Sequence, residues 1–176
     1  MIIANHPRWF NRAGLPSHLE PWKSLGGSAG NDFEVNFVPD YKILHDAGYN
    51  VLAYDLRNFG HSSSANGGLF TTGRCESRDV IGPLDYVRSR SDTREMTIGL
   101  FSRCLGCNAT MFAMTRRPGV FDGVRCMVSP QPLSSGVAPA VRRSRQLYGR
   151  SEGPRRVADE FYARSVLARP PGPRAS

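Results

Sequence analysis

The chain lacks a long apolar run. Nowhere in its 176 residues does one approach the roughly 18 needed to cross a bilayer, so no membrane partner is expected. Its start, Met1-Ile2-Ile3-Ala4-Asn5, has no charged segment followed by a long apolar one, so no signal peptide is visible. Cysteine is scarce, at positions 75, 104, 107 and 126 only, and a reduced, cytoplasmic protein is the default expectation. Cys104 and Cys107 form a C-x-x-C, but no second C-x-x-C and no H-x-x-x-H completes a zinc site, so neither metal nor cofactor is expected. Histidine is scarce too. His6, His18, His45 and His61 all precede Cys104, and none follows it.

Acidic residues are under-represented, giving a net charge of +8, but unevenly. In residues 1–136, 14 Lys and Arg stand against 12 Asp and Glu, a net of +2; in residues 137–176, nine Arg stand against three acids, a net of +6. The basicity belongs to the tail. Aromatic residues there are few (Tyr148, Phe161, Tyr162), so a base-stacking platform is not expected, and contact with nucleic acid would be non-specific at most.

What is present fits one domain of ordinary composition over residues 1–133, followed by an Arg/Pro-rich tail over 134–176. Met1 to Asn5 reads as a strand. Residues 8–38 form a long connection rich in aromatics and glycine, of the kind that is functional or poorly ordered, and a candidate wall for a substrate pocket. Within it Gly26-Gly27-Ser28-Ala29-Gly30 lacks the Lys-Ser/Thr ending of a phosphate loop and reads as a flexible turn. Pro39 to Ala47 is a helix closed by Gly48, and Tyr49 to Tyr54 a buried strand. Glu76 to Arg90 places Val80, Leu84 and Val87 on one helical face, with Pro83 inside it. Met96 to Phe101 is an apolar strand, Leu105 to Arg116 a helix and Val124 to Pro130 a last strand. Arg155 to Leu167 is a candidate helix in a tail whose end is expected to be disordered. Strand and helix alternate, which specifies an α/β fold: a mostly parallel sheet flanked by helices, with ligands bound beyond the carboxyl ends of the strands. His6, Asp55 and Cys104 fall at such ends.

Between the strand ending at Phe101 and the helix opening at Leu105 lie only Ser102-Arg103-Cys104. A strand passing straight into a helix must turn sharply, which leaves the apex residue bare above the helix N–H groups. Small residues two positions either side permit the turn, and Ser102 and Gly106 flank Cys104 in that way. The segment resembles the nucleophile elbow of the α/β-hydrolase fold, with cysteine as in its dienelactone-hydrolase branch and Ser102 in place of the first glycine. Asp55-Leu56-Arg57-Asn58-Phe59-Gly60-His61-Ser62 resembles the D-x-R-G-x-G-x-S loop of the same fold, with Asn58 in the first glycine position; there Asp and Arg are mainly structural. Asn5-His6-Pro7 resembles its His-Gly oxyanion strand end, with Pro7 for glycine.

The resemblance covers residues 1 to about 133, the middle of the fold. It implies a hydrolase of ester, thioester or lactone bonds acting on a small acyl substrate. Cys104 would be the nucleophile, favoured as thiolate by the helix dipole. The backbone N–H of Leu105 would meet the oxyanion, with the N–H of Arg8 or Trp9 as the second donor. The family order of nucleophile, acid, histidine finds no counterpart after Cys104; His6, on the neighbouring strand, is the candidate base. Two other readings stay open: a catalytically incomplete fragment, truncated at both ends, and an interaction module with a basic tail. A sheet without outer strands would expose edges, so an oligomer covering them is a further expectation.

Overall fold

The computed structural model describes residues 1–20, 22–27 and 33–132. The segment 134–176, with its candidate helix, lies outside the described residues, as does part of the glycine-rich turn. The elements in order are β1 (Ile2–Asn5), β2 (Gly14–Leu15), α1 (Trp22–Gly27), β3 (Val35–Asn36), α2 (Val38–Asp46), β4 (Val51–Ala53), α3 (Ser77–Ser89), β5 (Ile98–Ser102), α4 (Leu105–Arg116) and β6 (Val124–Val128). Single 3₁₀ turns cover Asn66–Gly68 and Pro118–Phe121.

Four strands make one parallel sheet in the order β4-β1-β5-β6. The first strand is therefore interior. The chain leaves β1 toward β4, then crosses back over it through α3 to reach β5. The direction of connection thus reverses between β1 and β5, and open sheets of this kind bind ligands beyond the carboxyl ends of the strands at such a point. Ile2 pairs with Gly99 and Asn5 with Ser102, so β1 ends level with the end of β5.

The main core lies where α3 and α4 pack on each other and on β1 and β5. Val80, Leu84 and Val87 of α3 are buried there with Ile3, Ile98, Leu100, Ala109 and Ala113. This is the face expected from their helical spacing. Pro83 lies inside α3 without ending it. A smaller cluster of Leu56, Phe59, Phe70 and Leu105 sits under the loop after β4. By contrast α2, which touches β4, buries none of its residues fully.

Several boundaries differ from the sequence reading. β5 starts at Ile98, because Met96 N–H closes a turn onto the Thr93 carbonyl. β6 ends at Val128, two residues early, and the Pro130 carbonyl accepts the Cys104 N–H at 3.0 Å. The connection 8–38 holds more structure than a plain loop. β2 and β3 pair antiparallel, Gly14 with Asn36 and Leu15 with Val35. Gly14, at φ 138°, lies where a Cβ would stand 1.9 Å from the Val35 carbonyl oxygen, so only glycine fits. Phe10 stacks on Phe37, and Trp22 is buried. Among the described residues no helix is long and apolar enough to cross a membrane.

Leu84 is fully buried at the centre of the α3–α4 contact. Leu84→Ala is expected to lower the unfolding free energy by about 2–5 kcal/mol, read from urea denaturation.

Candidate functional site

β5 runs straight to Ser102, and α4 opens at Leu105. Cys104 lies at the junction with φ 49° and ψ −109°, a left-handed backbone that side-chain-bearing residues seldom adopt and that costs on the order of 1–3 kcal/mol. Cys104 is a half-buried residue, whereas Cys107, in the first turn of α4, is buried. Gly106 N–H bonds back to the Arg103 carbonyl, and the N–H groups of Cys107 and Asn108 to that of Cys104. Leu105, the first residue of α4, has no intrahelical acceptor for its N–H, as at any helix start.

The junction is held from below by side chains that no spacing rule connects. Asn5, buried at the end of β1, donates from Nδ2 to Ser102 Oγ at 2.7 Å and to Thr110 Oγ1 at 3.2 Å. Its Oδ1 accepts the Tyr54 hydroxyl. Ser102 and Thr110 share a hydrogen bond of 3.0 Å, and Thr110 donates to the Gly106 carbonyl at 2.8 Å. Burial pushes the Tyr54 phenol well above its ordinary range, so it remains a donor. Ser102, which stands in place of the first glycine of the elbow pattern, is fully buried inside this network.

Arg103 fastens the other side. Its guanidinium lies 4.1 Å from the ring centre of Phe37 and 4.0 Å from that of Phe101, with Nη2 on Asp40 Oδ2 at 2.6 Å. Nη1 is buried without a hydrogen-bond partner, a cost offset by the two ring faces. Beside this pair, burial pushes the Tyr41 phenol up to about 12, against the lowering influence of Arg103.

His6, the candidate base, has both ring nitrogens engaged. The ring is buried; Nε2 accepts the Leu56 N–H at 2.9 Å, and Nδ1 lies 2.7 Å from the Pro7 carbonyl. Since a backbone N–H can only donate, the ring proton must sit on Nδ1. Both nitrogens are thus committed to tying the turn after β1 to the loop after β4. His18 pairs with Glu34, and His45 lies 4.0 Å from Asp46 on α2. No histidine hydrogen-bonds the Cys104 thiol among the described residues. Arg8, the candidate second oxyanion donor, follows Pro7, and its guanidinium lies over Phe70 at 4.1 Å and Trp9 at 4.6 Å. Trp9 itself has φ 68°, so the turn after β1 is tight.

The loop after β4 is structural. The Asp55 carboxylate accepts N–H groups from Arg12 at 2.7 Å and His61 at 2.9 Å. Gly60, at φ 52°, has the carboxylate 2.3 Å from where a Cβ would stand, so this position requires glycine. Arg57 makes a two-pronged pair with Asp79 of α3. Glu76, unmarked by any motif, is fully buried and accepts from the Thr71 and Gly73 N–H groups and the Thr71 hydroxyl. It folds the loop before α3 onto α4, where Gly73 abuts the Asn108 backbone. No group of three or more His, Cys, Asp or Glu capable of holding a metal occurs among the described residues.

The chain matches no family model, no curated protein and no solved structure.

Burial lowers the His6 pKa from 6.5, against the raising influence of Asp55, the Pro7 carbonyl and Asp79. The unfolded chain therefore binds a proton in the window from about 6.5 downward where the folded chain does not. Stability is expected to be level above that window and to fall as the pH drops through it, with a slope of at most about 1.4 kcal/mol per pH unit. Protonation also sets an N–H against the Leu56 N–H. Urea titrations between neutral pH and pH 5 read the slope; a His6→Asn variant should flatten it, and an unchanged slope would assign it to other groups.

Proposed function

We propose that the chain is an α/β-hydrolase-type protein that cleaves ester, thioester or lactone bonds through Cys104. The observation that carries this reading is the backbone of Cys104. A partly exposed cysteine in a left-handed conformation, between a parallel strand and a helix of twelve residues, is the geometry that a nucleophile elbow requires. Its place at the carboxyl end of β5, level with the end of β1, and the Asp55–Arg57 loop support it.

In this reading the Cys104 sulfur, as thiolate, attacks the substrate carbonyl carbon. The carbonyl electron pair moves to oxygen, and Leu105 N–H, with Arg8 N–H from the turn after β1, stabilises the oxyanion. Collapse of the tetrahedral adduct breaks the bond to the leaving alkoxide or thiolate, which takes its proton from water. The thioester left on Cys104 is then hydrolysed, releasing the acid and the thiol.

One observation favours a second reading, that of a catalytically incomplete member of the fold. His6 has both ring nitrogens engaged, and no described histidine partners the thiol. Turnover would then stop at, or before, the acyl-enzyme.

Hydrolysis of p-nitrophenyl acetate separates the two. A steady rate above the buffer blank that Cys104→Ala abolishes is the expected result for the hydrolase. One equivalent of nitrophenol and no more indicates the incomplete form. Wild type and Cys104→Ala both equal to the blank would remove the catalytic reading.

A further inference from the structure

Asn5, on the adjacent strand, touches the elbow on both its strand side and its helix side. The Asn5 carbonyl accepts the Arg103 N–H at 3.0 Å, which carries the β1–β5 ladder one residue past the last strand pair, to the doorstep of Cys104. Its Cβ and carbonyl lie 2.6 and 2.7 Å from where a Cβ on Gly106 would stand, so α4 starts in van der Waals contact with β1. Its side-chain amide reaches the strand side of the turn at Ser102 and the helix side at Thr110.

These bonds form a directed circuit. Tyr54 donates to Asn5, Asn5 to Ser102 and Thr110, Ser102 to Thr110, and Thr110 to the Gly106 carbonyl. Each donor has one acceptor for each of its protons, and the circuit joins Tyr54, just past β4, to β1, β5 and α4. A left-handed residue persists only where its surroundings over-determine it. Here the residues on both sides of Cys104 are pinned by a single side chain. The next residue, His6, ties the turn carrying Arg8 to the loop after β4, so the same strand end fixes both halves of the candidate site.

We infer that Asn5 is a positioning residue: through its carbonyl, Ser102 and Thr110 it holds the β5–α4 junction so that Cys104 stands in its left-handed conformation above the start of α4. The inference rests on the proposed role of Cys104 as nucleophile, but its test does not need turnover.

The probe is iodoacetamide. The Cys104 thiolate attacks the methylene carbon, the carbon–iodine bond breaks, iodide leaves and the thiol proton passes to buffer. Peptide mapping gives the rate at Cys104 relative to Cys126, an exposed cysteine on β6, in the same sample at pH 7. Asn5→Leu keeps the volume and removes the amide; Thr110→Val keeps the shape and removes the hydroxyl; Thr110→Ser keeps the hydroxyl. The first two are expected to lower the Cys104/Cys126 ratio by about tenfold or more, well below their unfolding midpoints, and Thr110→Ser to restore it. Loss of stability alone would lower the midpoints and leave the ratio unchanged. A common ratio in wild type, Asn5→Leu and Thr110→Val overturns the inference, even if the wild type hydrolyses esters. A ratio that falls while the wild type shows no hydrolysis upholds the positioning role and removes the hydrolase reading.

Discussion

A single backbone contortion governs this molecule: Cys104 held at φ 49° where β5 becomes α4. An ordinary loop would give strand and helix room to relax, and no such loop exists. The strain is opposed by tight packing beneath it. Gly106 lets α4 close against β1, and Ser102 and Thr110 exchange hydrogen bonds with Asn5 in place of water. Buried polar groups of this kind are costly unless all are satisfied, and satisfied ones specify a single arrangement. The polar circuit and the apolar core of α3 and α4 therefore divide the labour. The core supplies stability, and the circuit fixes where one sulfur stands.

The surrounding loops extend that constraint outward. Asp55 gathers N–H groups from Arg12 and His61, so the connection after β1 and the loop after β4 share one anchor. Arg57 and Asp79 lock that loop to α3, and Arg103, pressed between Phe37 and Phe101, locks the elbow to α2. Carboxylates and guanidinium groups that a sequence reader would inspect for catalysis are here spent on holding loops.

Much of this was legible in the sequence because it depends on local pattern. The alternation of apolar strands with amphipathic helices gives the parallel sheet, and Val80, Leu84 and Val87 give the buried face of α3. The absence of any loop between Phe101 and Leu105 gives the sharp turn. Asn5, Thr110, Tyr54 and Glu76 were not legible, since their partners lie on other elements and their spacing carries no period. His6 shows the limit most clearly. Its place at a strand end is visible in the sequence, but whether its lone pair faces a thiol or a backbone N–H depends on the loop after β4. The pairing of β2 with β3 was hidden for a related reason: two-residue strands have no alternation to read.

A hydrolase acting through Cys104 must form a covalent acyl adduct there. Brief incubation with p-nitrophenyl acetate, acid quenching and mass spectrometry of the digested protein measures this directly. An acetyl group on the peptide containing Cys104, lost in Cys104→Ala, is the expected result. Acetylation confined to the exposed Cys126, or none at all, would contradict it.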